Sequence, residues 1–125
     1  MEPANHQVTD CQRISEMLAR VGDKWTLLVI RELGRGPNRF NALQRQIGDI
    51  SQKMLSSTLR HLERDGLVTR TVTPVTPPQV EYALTELGHG FLPVVSGIAE
   101  WTIKHMSCIE DARAAFDRRH LMAAE

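Results

Sequence analysis

The sequence predicts a mainly helical domain that carries one small β-hairpin, an α+β architecture. Four stretches before residue 68 repeat apolar residues at helical spacing, and each opens on a capping residue and closes near a glycine. Residues 68–84 then switch to an alternation of period two around a proline-rich loop, and residues 85–122 return to a helical pattern.

Residues 1–8 read as a loose polar arm. Thr9 or Asp10 caps a first helix running to about Val21, with Ile14, Leu18 and Val21 as its apolar stripe and Met17 widening it; Gly22 ends it. Asp23 caps a second helix from Lys24 to about Leu33. Trp25, Leu28, Val29 and Leu33 give that helix an apolar face, and Leu27 and Ile30 extend it around much of the girth, so it belongs at the centre of the core. Gly34, Gly36 and Pro37 break the chain. Arg39-Phe40 is expected as a very short strand, and Asn41 as the cap of a third helix ending at Ile47.

Gly48-Asp49-Ile50 connects tightly into a fourth helix with both ends marked: Ser51 as N-cap, Gly66 in the left-handed position just past the end. Leu55, Leu59 and Leu62 share one face of it; Lys53, Ser57, Arg60 and Arg64 fall on the opposite face, with Gln52 and Ser56 beside them. One face packs on a core while the other carries cations and hydrogen-bonding side chains. A helix lying in a DNA groove needs that division, because cations meet phosphates while Ser, Gln or Arg reach base edges. Two helices joined by a turn containing glycine make a helix-turn-helix, whose longer second helix enters the groove.

Val68, Arg70 and Val72 alternate with Thr69 and Thr71, and Val80, Tyr82 and Leu84 with Glu81 and Ala83. Between these strands Thr73-Pro74-Val75-Thr76-Pro77-Pro78-Gln79 is a stiff projecting loop. Directly after a recognition helix, such a hairpin is a wing, and its Thr76 and Gln79 join the candidate DNA contacts. Thr85 caps a long helical stretch to about Met106, with a kink or break expected at Pro93. Ile109 to Met122 reads as a final helix with Ile109, Ala112, Ala115, Phe116 and Met122 inward. Residues 39–84 thus form a winged helix-turn-helix within a single domain, 1–125. The helices at 9–21 and 86–122 exceed what its core needs, which leaves their apolar faces for a partner subunit.

Composition sets the outer limits. The chain of 125 residues is 42% hydrophobic and 24% charged, ordinary for one soluble domain. The two cysteines, Cys11 and Cys108, are too few for a disulfide scaffold. The polar start carries no targeting signal, and the longest aliphatic run, Leu27 to Ile30, is too short for a membrane span, so a cytoplasmic location is expected. Net charge is zero but unevenly placed. Residues 39–70 hold six Lys/Arg against three acids, a surplus of three; residues 85–125 hold four against six, a deficit of two.

Several motifs now match a known family. Val21-Gly22-Asp23-Lys24-Trp25-Thr26-Leu27-Leu28-Val29-Ile30 resembles a "GxKWTLLIL" segment, Arg39-Phe40 an "RF" pair and Ile50-Ser51-Gln52-Lys53-Met54-Leu55 an "ISxKxL" segment. Leu59-Arg60, Leu62-Glu63 and Asp65-Gly66-Leu67-Val68 resemble "LRxLExDGLV"; Val80-Glu81-Tyr82, Leu84-Thr85, Gly88 and Pro93-Val94 resemble "VEYxLTxxGxxLxPV", with Trp101 following. The chain resembles the HxlR-type winged-helix regulators, relatives of the MarR group, over roughly residues 11–101. The resemblance implies a bacterial homodimer that binds a double-stranded DNA operator and joins through its first and C-terminal helices. By position it implies that Ser51, Gln52, Lys53, Ser56, Ser57 and Arg60 face DNA and that Arg39 reaches a phosphate. Cys11 matches a cysteine that some members use to sense oxidants or electrophiles, so a small molecule or oxidant is the expected inducer. Many members carry an arginine after the wing prolines, where this chain has Gln79.

Other chemistry finds little support. There is no Gly-rich phosphate loop, paired-carboxylate signature or nucleophile elbow, so neither an enzyme nor a cofactor is expected. Among the histidines only His105 pairs with Cys108 at ligand-like spacing, and two ligands do not make a zinc site. The alternative reading is a winged-helix protein-interaction module without specific DNA binding. Lys53, Arg60 and Arg64 on one helix face argue against it.

Overall fold

The computed structural model describes residues 9–124; the expected arm at residues 1–8 lies outside the described residues. The chain divides into two compact units, Met1–Val95 and Ser96–Glu125.

In the first unit α1 (Asp10–Val21) opens on a capping box. Thr9, not Asp10, is the cap: its Oγ1 accepts from the Gln12 N–H at 3.1 Å, and the Gln12 Oε1 accepts from the Thr9 N–H at 2.9 Å. No residue of α1 is buried. In α2 (Lys24–Leu33) the Asp23 carboxylate accepts from the Trp25 N–H and, at 3.3 Å, from the Thr26 hydroxyl. Val29, Ile30 and Leu33 are buried, with Trp25 and Leu27 packed partly against them, so α2 is the central helix its girth implied.

The third helix starts earlier than its sequence suggests. The short strand is β1 (Asn38–Arg39) rather than Arg39-Phe40, and α3 (Phe40–Ile47) is preceded by Arg39 with no side-chain cap, so Asn41 is not the cap. Tertiary pairing decides this. Asn38 and Arg39 pair with Tyr82 and Glu81, which holds Arg39 extended at φ −88, ψ 158 and brings Phe40 against the core as the first helical residue.

The fourth helix, α4 (Gln52–Arg64), is bounded as its end signals indicate. The Ser51 Oγ accepts from the Met54 N–H at 3.0 Å. At the other end the N–H groups of Gly66 and Leu67 reach the carbonyls of Glu63 and Leu62, a Schellman closure that needs the φ of +79 at Gly66. Leu55, Leu59 and Leu62 are buried and Thr58 joins them, its Oγ1 enclosed without a hydrogen-bond partner. An enclosed, unpaired hydroxyl costs about 1–3 kcal/mol, and valine matches threonine in shape. Thr58→Val is therefore expected to raise stability by roughly 1 kcal/mol in a urea melt with an unchanged m value.

The sheet is antiparallel and three-stranded, in the order β1, β3 (Gln79–Leu84), β2 (Val68–Thr73). Val68 pairs with Leu84, Arg70 with Tyr82 and Val72 with Val80, so these pairs share one face. Val68, Tyr82 and Leu84 are buried while β2 is exposed from Thr69 onward, which leaves the hairpin projecting as a wing. After the wing the Thr85 hydroxyl donates to the Gly66 carbonyl and accepts from the Gly88 N–H, capping α5 (Glu86–Ala124) beside the end of α4.

α5 is a single helix through Pro93, not a helix to Met106 followed by another from Ile109. Proline removes one backbone hydrogen bond without ending the helix, and no glycine or proline follows Gly97. The second unit is the later part of this helix. Of the residues expected inward, Ile109 and Ala115 are half-buried, Ala112, Phe116 and Met122 are exposed, and Trp101 and Ile103 are also exposed.

Candidate nucleic-acid interface

Burial of Leu55, Thr58, Leu59 and Leu62 fixes which side of α4 faces out. Gln52, Lys53, Ser56, Ser57, Arg60 and Arg64 are all exposed. Helical geometry puts Gln52, Ser56 and Glu63 on one flank of that outward face, Lys53, Arg60 and Arg64 along its crest, and Ser57 on the other flank.

The first flank meets the wing. Gln52, Lys53 and Ser56 line a groove with Phe40, Val80 and Tyr82. Ser56 and Arg60 line a second groove with Glu63, Arg70 and Tyr82. Ser56 and Tyr82 are common to both, so they form one polar furrow between helix and hairpin. Neither groove includes Ser57 or Arg64. Ser51 is exposed but its hydroxyl already accepts the Met54 N–H.

Arg39 stands apart from the furrow. It pairs with Glu81, on the sheet face opposite Tyr82, and its Nη2 donates to the Gln79 Oε1 at 2.8 Å. Two expected DNA contacts are thus bonded to each other near the loop end of the wing, on the face away from the furrow. Thr76 is exposed in the loop beyond.

Five residues of the furrow are not among the expected DNA contacts: Glu63, Arg70 and Tyr82, and the apolar Phe40 and Val80. For Arg70 the signal was present, because it interrupts Val68-x-Arg70-x-Val72 in phase with the buried Val68. Among the described residues, Lys53, Arg60, Arg64 and Arg70 have no carboxylate within 4.0 Å, and the only longer-range ion pair joins Arg20 of α1 to Asp65 at the end of α4, Nε to Oδ2 at 2.9 Å. Four unneutralised cations with Ser and Gln donors on a protruding helix and hairpin suit an anionic, groove-bearing partner.

Cys11 is exposed in the first turn of α1, in a shallow depression with Gln12, Ser15 and Glu16. Cys108 is exposed in the second unit. Among the described residues no group of three metal-ligating side chains is assembled, and no helix is long and apolar enough to cross a membrane.

Comparison with known proteins agrees with this geometry. The model of the HxlR-like helix-turn-helix family matches residues 20–110. The HTH-type transcriptional regulator YtfH of Escherichia coli strain K12 is 40% identical over 103 residues, covering 80% of this chain and 82% of its own. The solved structure of the transcriptional regulator YtfH from Salmonella typhimurium superposes with a TM-score of 0.73 at 37% identity, over 80% of this chain and 89% of that one. The redox regulator HypR in its reduced form gives a TM-score of 0.73 at 36% identity, over 79% of this chain and 98% of that one. On the match from residue 20 to residue 110 and on its winged-helix fold, this chain belongs to the HxlR-like helix-turn-helix family of transcriptional regulators.

Proposed function

We propose that the protein regulates transcription by binding a pseudo-palindromic DNA operator as a homodimer, with α4 in the major groove and the wing on the adjacent backbone. The observation that carries this reading is the division of α4: three buried leucines on one side, and on the other Lys53, Arg60 and Arg64, which form no ion pair among the described residues. Gln52, Ser56 and Ser57 supply donors for base edges, Ser51 starts the helix, Arg39 flanks the wing from β1, and Thr76 and Gln79 lie toward its tip.

Apolar exposure supports the dimer. In the first unit Ile14, Met17 and Leu18 of α1 and Leu87 and Val94 of α5 are exposed; in the second, Ile98, Trp101, Ile103, Phe116, Leu121 and Met122. A run of helix with this much exposed apolar surface gains from a second copy of itself. One recognition helix per subunit then requires half-sites about one DNA turn (~34 Å) or a multiple apart. Size-exclusion chromatography with light scattering is expected to give twice the chain mass, alone and on DNA. A monomer at micromolar concentration that bound a specific site would sink the dimeric reading.

Cys11 is the proposed sensor. Its exposure allows an oxidant or electrophile to reach it, and one structural neighbour is a redox regulator by name. Oxidation or alkylation adds bulk or a crosslink to α1, whose Arg20 is paired with Asp65 at the end of α4, so a displaced α1 pulls on the recognition helix. A crosslink would join Cys11 to Cys11 or Cys108 of the other subunit. Diamide or a quinone is expected to shift operator affinity in the wild type and not in Cys11→Ser; an equal response in both proteins would make Cys11 structural.

A further inference from the structure

We propose that Arg70 of the wing and Arg60 of the recognition helix form a two-guanidinium seat for one DNA phosphate. This seat, rather than the wing tip, is where the hairpin grips the backbone. The inference rests on the DNA-binding reading and adds a residue and a contact to it.

Three observations place the seat. Register puts Arg70 opposite Tyr82, on the sheet face that carries Val68 and Leu84 into the core, so its side chain projects toward α4 rather than away from it. Arg70 and Arg60 line the same groove, with Ser56 beside them and Tyr82, only 9% exposed, as its floor. Neither arginine has a carboxylate within 4.0 Å among the described residues, although Glu63 lines the same groove. Two guanidinium groups that line one polar groove repel each other, and an anion bound between them relieves that repulsion. The planar donor forks of arginine match phosphate oxygens.

The wing tip offers no such contact. Residues 73–79 hold no cation, and the Gln79 side chain already accepts from Arg39 at 2.8 Å. Arg39 itself pairs with Glu81, on the other face of the sheet. A hairpin with an uncharged tip therefore engages DNA from its inner edge.

The test measures binding of the full-length protein to two fluorescein-labelled duplexes of equal length, the DNA upstream of its own gene and a random sequence, over a range of salt. Arg70→Ala is expected to weaken binding about tenfold on both duplexes, because a phosphate contact carries no base information. The slope of log K against log salt should become shallower by about two, one phosphate contact in each subunit of the proposed dimer. Arg70→Lys should keep the wild-type slope, since it keeps the charge, and both variants should melt at the wild-type temperature because Arg70 is exposed. Val75→Ala, at the tip, should change neither affinity nor slope. Wild-type affinity and slope in Arg70→Ala overturn the seat while leaving DNA binding intact. A loss confined to the upstream duplex overturns it too, by making Arg70 a base reader. A lowered melting temperature in Arg70→Ala, with Arg70→Lys failing to restore the slope, shows a structural arginine and also overturns it. Absence of wild-type binding to either duplex defeats the DNA-binding reading itself.

Discussion

Lys53→Ala and Arg60→Ala are each expected to weaken operator binding by about 1–3 kcal/mol, roughly tenfold to more than a hundredfold, without lowering thermal stability. Both residues are exposed on the crest of α4, opposite the buried Leu55, Leu59 and Leu62, and neither side chain takes part in an ion pair or hydrogen bond among the described residues. They are seven residues apart, two helical turns or about 10 Å, so their effects should nearly add in the double variant. Sequence dependence separates two modes of contact. A residue bonded to a base edge loses affinity chiefly for the operator, while a residue bonded to phosphate loses it on every duplex and flattens the salt response. Anisotropy titrations on operator and random duplexes, with melting curves of the same preparations, read both quantities. Unchanged affinity in both single variants would favour a protein partner for this face.

Gly88→Ala is expected to destabilise the protein, against the general preference of helices for alanine. In an open helical site that exchange gains up to about 1 kcal/mol. At Gly88 a Cβ would collide with the Leu67 carbonyl and crowd the Leu84 side chain, and Leu67 is backbone in the turn between α4 and the wing. The turn has little freedom to retreat, since the Leu67 N–H is bonded to the Leu62 carbonyl and its carbonyl accepts from the Thr85 N–H at 3.0 Å. Overpacking of this kind costs roughly 1–3 kcal/mol. Gly90→Ala is the control: nothing lies within 4 Å of its Cβ position, so propensity should dominate and stability should rise slightly. Urea melts of the two variants should move in opposite directions. Gly88→Ala should also weaken DNA binding, because any shift of Leu67 changes the angle between recognition helix and wing.

Much of this architecture is legible in the sequence because local signals and tertiary packing agree. Thr9, Asp23 and Ser51 each accept the N–H bond that their residue type suits, and Gly66 closes α4 in the left-handed conformation. The mismatches lie where distant contacts override local preference. Asn41 is a good capping residue, yet pairing of Arg39 with Glu81, forty-two positions later, starts α3 before it. Pro93 suggests a kink or break, but the helix continues through it, because the residue costs one backbone hydrogen bond and the bonds on either side remain.

The candidate site divides the same way. Which α4 residues are exposed follows from the spacing of its leucines, so Lys53, Arg60 and Arg64 could be placed from sequence. Whether Arg70 faces α4 or solvent depends on the direction in which the hairpin folds back, which alternation alone leaves open. That choice decides the furrow: it admits Arg70 and Tyr82 and leaves Arg39 bonded to Gln79 on the other side.

A salt titration of binding to the DNA upstream of the gene asks whether α4 and the wing grip DNA. In the proposed dimer, Lys53, Arg60, Arg64 and Arg70 of the two subunits present eight cations without ion pairs among the described residues. If between half and all of them meet phosphates, log K should fall linearly with log salt, with a slope of roughly −4 to −7. The expected result is a slope in that range, with upstream DNA bound more tightly than random DNA at every salt concentration. A slope near zero, or equal affinity for both duplexes, would contradict it.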